Sequence, residues 1–131
     1  MISTNRNAGL WIDHREAEVV FVGEGEEVTR RIESGMEKHV RFSGGNRPED
    51  GSADDQRDRR YLAHLNGYYD EVISCIRDAK SVLIFGPGEA KHELKNRLER
   101  DGLATRIVAI EAADKMTVPQ IQAKVREHFL K

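Results

Sequence analysis

The sequence predicts a single α/β domain built on one mixed sheet of about five strands. Three observations support this prediction: short strand-like segments fill residues 8–33, helical and strand-like segments alternate after residue 58, and the chain has 131 residues. A chain of that length is the size of one domain with one hydrophobic core. The early segments predict an antiparallel meander, and the later alternation predicts strands that run parallel to the first.

The first three strands are expected near the start of the chain. Residues 8–14 and 17–23 are rich in Trp, Ile, Val and Phe and are separated by a short polar turn. Such composition is typical of strands joined as a hairpin. Residues 26–33, "EEVTRRIE", predict a polar third strand with one solvated face.

A long segment without periodicity follows the meander. Residues 34–58 are rich in Gly, Ser, Asp and Asn, and they exceed the usual length of a connection inside a compact domain. The sequence therefore predicts a long flexible loop at about 34–58.

A helical period then begins. Apolar residues recur at spacings of three and four, which predicts an amphipathic helix of about five to six turns. These positions are Tyr61, Leu62, Leu65, Tyr68, Tyr69, Val72, Ile73, Ile76 and Ala79.

The remaining elements alternate strand and helix. Residues 81–86 and 105–112 are apolar runs that predict strands buried in the sheet. Residues 87–102 predict a helix that ends at a glycine. Thr117 and Gln120 predict a capping box at the start of the last helix. The resulting order, β-β-β, loop, α-β-α-β-α, is that of ribonuclease-H-like folds.

Composition restricts the classes of partner. The 21 Lys and Arg residues nearly balance the 23 Asp and Glu residues, so bulk charge does not favour nucleic acid or a membrane surface. Cys75 is the only cysteine and has no partner for an internal disulfide. The chain shows no signal-peptide pattern and no apolar run of membrane-spanning length. We expect a cytoplasmic protein without a membrane partner.

Conventional catalytic sites have little support in the sequence. Asp13 lies at the end of the first predicted strand, where a ribonuclease-H-type nuclease holds a metal, but its only candidate partners are Glu111 and Asp114. The interpretation of Asp13 as a turn former is favoured. The five histidines do not fall at metal-binding spacings. We expect no metal or other cofactor.

The stretch "FGPGEAK" (85–91) lies between a strand and a helix. This setting can hold a phosphate, although neither phosphate-loop glycine pattern is present. Gly86 and Gly88 are better interpreted as a tight turn. Lys91 is a candidate positive charge beside it.

The predicted loop divides into a basic front and an acidic rear. Lys38, Arg41 and Arg47 form a cationic stretch without acids, and this stretch could contact phosphates. Gly44 and Gly45 allow another molecule to approach the main chain. On these residues alone, a solvated spacer is favoured over a working segment.

The order of several motifs resembles a known family. The segments "GLWIDHREAEVVFV", "KHVRFSGGN", "VLIFGPGEAKHEL" and "RIVAIEAAD", with a Tyr-containing helix, occur between Ala8 and Phe129. Together they resemble the middle domain of eukaryotic and archaeal class-1 peptide-chain release factors and of the Pelota proteins. They also resemble short bacterial proteins of that superfamily, sometimes described as translational machinery proteins.

The resemblance implies a ribonuclease-H-like fold without its metal site. It also implies a loop tip that positions water against the ester of peptidyl-tRNA, here at Gly44, Gly45 and Asn46. The action would rest on positioning and electrostatic stabilisation. The resemblance implies Lys38, His39 and Arg41 as the basic approach to the tip. With Arg47 and Lys91, whose charge and position suggest the same role, they are the candidate RNA contacts. Asn46 stands where the release factors have glutamine, and acidic residues follow it.

Two functional hypotheses remain open. One is codon-independent hydrolysis of peptidyl-tRNA, or ribosome rescue, through the Gly-Gly-Asn tip. The other is a non-catalytic module of Pelota type that binds ribosomes or RNA, or interacts with proteins. The implied partners are the ribosome or tRNA and a protein that supplies further domains.

Overall fold

The computed structural model describes residues 6–23, 25–35 and 51–130, with backbone alone at 51–58. Within these ranges the chain forms one five-stranded sheet, in the order β3-β2-β1-β4-β5, and three α-helices. The elements are β1 (Asn7–Ile12), β2 (Glu16–Gly23), β3 (Glu26–Glu33), α1 (Gly51–Ile76), β4 (Ser81–Gly86), α2 (Ala90–Arg100), a 3-10 turn (Ala104–Arg106), β5 (Ile107–Ala112) and α3 (Val118–Phe129).

Strand pairing confirms the predicted mixed sheet. The pairs β1–β2 and β2–β3 are antiparallel, whereas β1–β4 and β4–β5 are parallel. It follows that β1, β3, β4 and β5 all end at the same edge of the sheet. We call this end of the sheet, where those strands finish, together with the turns that follow them, the carboxyl edge.

Helices cover both faces of the sheet. Strand β4 shows the arrangement, because Val82 and Ile84 pack on one face and Leu83 and Phe85 on the other. This alternation confirms that residues 81–86 are a strand buried on both sides. The first face is covered by α1 and α2. The second, which we call the α3 face, is covered by Ile121 and Val125 of α3.

Helix α1 begins earlier than its apolar period indicated. The structure starts it at Gly51, so residues 51–58 are helical, and the predicted loop end at residue 58 is wrong. The prediction failed because hydrophobic periodicity detects only turns that carry apolar residues, and these begin at Tyr61. The remaining part of that prediction, a flexible loop across 36–50, lies outside the described residues.

The strand predicted at 105–112 is present as β5, but the prediction that it is buried was wrong. Among the residues that the structure describes it pairs only with β4, and its residues are at least partly exposed, with Val108 at 47%. An apolar run predicts a strand, but it does not distinguish a central strand from an edge strand.

Helix α3 begins as predicted. The Thr117 hydroxyl accepts a hydrogen bond from the Gln120 backbone at 3.3 Å, and the Gln120 side chain accepts one from the Thr117 backbone at 2.9 Å. The reciprocal capping box is therefore confirmed. No helix in the described ranges is both long enough and apolar enough to span a membrane.

Candidate functional site at the carboxyl edge

The turn between β1 and β2 is organised by Asp13. One carboxylate oxygen of Asp13 accepts hydrogen bonds from the backbone nitrogens of Arg15 at 2.8 Å and Glu16 at 2.9 Å. The interpretation of Asp13 as a turn former is therefore confirmed. Among the described residues, no group of three or more His, Cys, Asp or Glu side chains could hold a metal ion.

The turn between β4 and α2 requires glycine at two positions. Gly86 and Gly88 have φ of 149° and 63°, which L side chains rarely adopt. A Cβ at Gly86 would also overlap the carbonyl oxygen of Ile12 on the neighbouring strand. These contacts confirm the tight turn predicted at 86–88.

Lys91 takes part in that turn. Its side chain is buried, and its Nζ donates to the carbonyl oxygen of Gly88 at 2.6 Å. This hydrogen bond links the start of α2 to the loop residues that follow β4. An RNA contact by Lys91 stays a prediction.

Ser34 is the first residue after β3, and hydrogen bonds hold it against the turn between β1 and β2. Its hydroxyl donates to the carbonyl oxygen of His14 at 2.7 Å, and its backbone nitrogen donates to the carbonyl oxygen of Arg15 at 2.9 Å. The carbonyl oxygen of Ser34 accepts a hydrogen bond from His64 Nε2 on α1. Gly35 follows with a φ of 75°. The β1–β2 turn and α1 therefore hold the chain where residues 36–50 begin.

Two tyrosines on α1 donate hydrogen bonds to the β1–β2 turn and to α2. The Tyr68 hydroxyl donates to the carbonyl oxygen of Asp13 at 2.9 Å. The Tyr69 hydroxyl donates to Glu93 Oε1 on α2 at 2.5 Å, and His14 Nε2 donates to the same oxygen at 3.0 Å. Hydrogen bonds at this edge thus join the β1–β2 turn, the end of β3, α1 and α2. We call these residues the base network: Asp13, His14, Ser34, His64, Tyr68, Tyr69 and Glu93.

The tyrosines in the base network are hydrogen-bond donors. Burial raises the pKa of both hydroxyls well above the usual value, and the charge of Asp13 adds to this for Tyr68. For Tyr69, the hydrogen bond to Glu93 raises the pKa further. Both side chains therefore stay protonated at neutral pH and serve to hold their acceptors.

Helix α1 extends beyond the base network. It begins at Gly51, and the axial rise of an α-helix places that end roughly 20 Å from the turn that carries His64. Residues 36–50 therefore connect the sheet edge at Gly35 with the distant end of α1.

Lys91 is the only predicted site residue within the described ranges. The others lie outside them: Lys38, His39, Arg41, Gly44, Gly45, Asn46 and Arg47. Sequence reasoning missed the base network, although one signal was available. His14 ends the first predicted strand and Ser34 follows the third. The first and third strands of an antiparallel meander run in the same direction, so they end on the same side of the sheet.

No protein-family model and no curated protein matches the sequence. Solved structures, however, share its fold. The Pelota protein of Thermoplasma acidophilum has a TM-score of 0.59 and 14% identity, over 98% of this chain and 33% of that protein. The Pelota protein of Archaeoglobus fulgidus has a TM-score of 0.57 and 14% identity, over 97% of this chain and 33% of that protein.

An archaeal translation termination factor, aRF1, has a TM-score of 0.56 and 13% identity, over 95% of this chain and 34% of that protein. The chain spans about one third of the length of each of these proteins. At such low sequence identity, the likeness is evidence about the fold. As a likeness of fold, it confirms the predicted resemblance. The chain has the fold of a middle-domain-like third of Pelota and aRF1.

Proposed function

We propose that the protein acts in translation as a release-factor-like protein that binds the ribosome. The observation that carries this proposal is the likeness of 95–98% of the chain to about one third of Pelota and aRF1. One of these neighbours is a translation termination factor by name. The order of sequence motifs supports the same proposal.

In this proposal the working part is the segment 36–50. Gly44, Gly45 and Asn46 form a tip that reaches the ester of peptidyl-tRNA. Water attacks the ester carbonyl, the bond to the tRNA ribose oxygen breaks, and that oxygen takes a proton. Backbone N–H groups at the tip stabilise the negative charge that develops on the carbonyl oxygen. The tip also positions the water, and no side chain of altered pKa is needed.

The basic front of the segment would hold RNA phosphates. Lys38, His39, Arg41 and Arg47 precede or follow the tip closely, and Arg and Lys are the usual partners of phosphate groups. This arrangement would place the tip without reading a codon. The activity would therefore be codon-independent peptide release or ribosome rescue.

Specific residues favour a second candidate function, a non-catalytic module of Pelota type. Asn46 is one methylene shorter than the glutamine of the release factors. Five acidic residues follow the tip and would be repelled by RNA: Glu49, Asp50, Asp54, Asp55 and Asp58. In this second candidate function, the domain binds the ribosome through a complementary surface without catalysing a reaction, and another protein supplies further domains.

A paired experiment separates the two functions. Cosedimentation with ribosomes at low salt measures binding, and single-turnover release of peptide from stalled ribosomes measures activity. For the catalytic function, Gly45→Ala and Asn46→Ala lower the release rate by on the order of 100-fold and leave cosedimentation unchanged.

Matched controls lie on the helices. Gly67→Ala changes an exposed helical glycine whose added Cβ meets nothing within 4 Å, and Asn96→Ala changes an exposed asparagine on α2. Both should release peptide as the unaltered protein does. Binding without any release above background favours the non-catalytic module, and absence of cosedimentation contradicts both functions.

A further inference from the structure

We infer that His14 and Glu93 are positioning residues, which fix the point where residues 36–50 leave β3. The inference rests on the proposed function, in which those residues act on peptidyl-tRNA. It assigns a role to a side chain on α2 that lies far from the segment in sequence.

The first support is that the base network ends on main-chain atoms. The acceptors of Tyr68, Ser34 and His64 are the backbone carbonyl oxygens of Asp13, His14 and Ser34 respectively. A hydrogen bond to a carbonyl oxygen restrains the path of the chain as well as the donor side chain. The β1–β2 turn and the end of β3 are therefore held as one unit.

The second support is the position of Glu93. Its Oε1 accepts hydrogen bonds from His14 at 3.0 Å and from Tyr69 at 2.5 Å, and so joins the β1–β2 turn to α1 and α2. Tyr69 is 3% exposed, whereas the side chains of His14 and Glu93 are 37% and 42% exposed, so Glu93 joins a buried hydroxyl to a ring that water also reaches. Loss of the carboxylate would free the His14 ring and leave a buried hydroxyl without its partner.

A continuous chain of bonds links these two supports. Glu93 holds the His14 ring, the His14 carbonyl oxygen accepts from Ser34, and Ser34 precedes the first residue of the segment by two positions. A change at Glu93 is thereby transmitted to the exit of β3. Accurate placement of reacting groups has a large effect on rate, since small displacements slow a reaction strongly.

Limited proteolysis tests the restraint without requiring activity. Trypsin can cut after Lys38 and Arg41, inside the segment, and after Arg77 and Arg100, in the body of the domain. In Glu93→Ala we expect cleavage after Lys38 and Arg41 to become about fivefold faster, as loss of the His14–Glu93 hydrogen bond predicts. Cleavage after Arg77 and Arg100 should keep its rate.

Companion variants separate the role from general damage to the fold. Glu93→Gln keeps an acceptor oxygen and should stay close to the unaltered protein. His14→Ala should behave as Glu93→Ala does, whereas His92→Ala, an exposed histidine on the same helix as Glu93, should change nothing. If Glu93→Ala unfolds, His14→Ala carries the test, since it removes the bond to Glu93 and leaves the Tyr69 hydroxyl bonded. Unchanged cleavage in the segment in every folded variant overturns the inference.

Release kinetics then connect the restraint to function. Glu93→Ala and His14→Ala should lower the single-turnover rate constant by on the order of 10- to 100-fold, with the ribosome concentration at half-maximal rate unchanged. A loss confined to ribosome affinity contradicts a positioning role. If the unaltered protein does not release peptide, the proposed catalysis fails, and the trypsin comparison still decides whether the network restrains the segment.

Discussion

The carboxyl edge and the α3 face hold their neighbours in different ways. At the carboxyl edge, side-chain donors reach main-chain oxygens, as Tyr68 does at Asp13. On the α3 face, several contacts join side chain to side chain. Gln122 of α3 donates to the Thr29 hydroxyl, and Arg31 donates to the carboxylates of Glu16 and Glu18.

The two regions differ in how they can accommodate a substitution. A side chain can move to another rotamer when its partner changes, whereas a main-chain contact can be relieved only by moving the chain. The α3 face is therefore expected to absorb substitutions that the carboxyl edge does not. This rigidity suits an edge from which residues 36–50 depart.

The largest expected effect compares two glycines. A Cβ at Gly86 would overlap the main chain of Ile12 at a positive φ, whereas a Cβ at Gly9 would overlap only the side chain of Val125. Gly86→Ala should therefore lower the free energy of unfolding by about 3 kcal/mol. Gly9→Ala should lower it by about 2 kcal/mol. Urea denaturation measures both values.

A double variant sharpens this comparison. Gly9→Ala combined with Val125→Ala should cost less than the sum of the two single changes, because the shortened side chain makes room for the new methyl group. If Gly86→Ala costs no more than Gly9→Ala, the proposed contrast between the two regions is wrong.

A smaller effect is expected from the hydroxyl of one base-network tyrosine. Tyr68→Phe removes the hydrogen bond to the Asp13 carbonyl oxygen. We expect this change to lower the free energy of unfolding by about 1.5 kcal/mol, measured by urea denaturation.

The matched control for this change is Tyr61→Phe, at a partly buried position on the same helix. It should alter the free energy of unfolding by less than about 0.5 kcal/mol. Equal costs for the two variants would show that the bond to Asp13 does not stabilise the edge.

The smallest effect concerns charges on the α3 face. A hydrogen bond from Lys115 and the charges of Lys115 and Arg31 lower the pKa of Glu16 against the opposing effect of burial. The stabilisation from Glu16 is thus present above its ordinary pKa of 4.5 and is lost as pH falls through the lowered value. Glu16→Gln should cost about 0.5 kcal/mol near neutral pH, and this cost should disappear in acid.

Glu18 provides a control of opposite sign. Burial raises its pKa despite the nearby Arg31, so its favourable contribution is full below pH 4.5 and is lost as pH rises through the raised value. Relative to the unaltered protein, Glu18→Gln should therefore gain stability as pH rises from about 3 to about 7. The check is urea denaturation across this range, and parallel pH profiles for the two variants would contradict the assignment.

Much of the fold could be predicted because its signals are local. Val82 to Phe85 form an uninterrupted apolar run, and Thr117 with Gln120 forms a capping pair; the structure confirms both. The two errors arose where local pattern carries no information. Polar turns of α1 show no apolar period, and the edge position of β5 depends on which strands pair.

Part of the candidate site could likewise be predicted from the sequence, and part could not. The sequence by itself indicated the Gly44-Gly45-Asn46 tip and its basic front, because these residues are consecutive and resemble a family motif. Only the tertiary structure could identify the base network, since His14 and Glu93 lie 79 positions apart. Periodicity, caps and turns are properties of neighbouring residues in the chain. A hydrogen bond between distant residues depends instead on how strands and helices pack, and packing decides which of the many polar side chains meet.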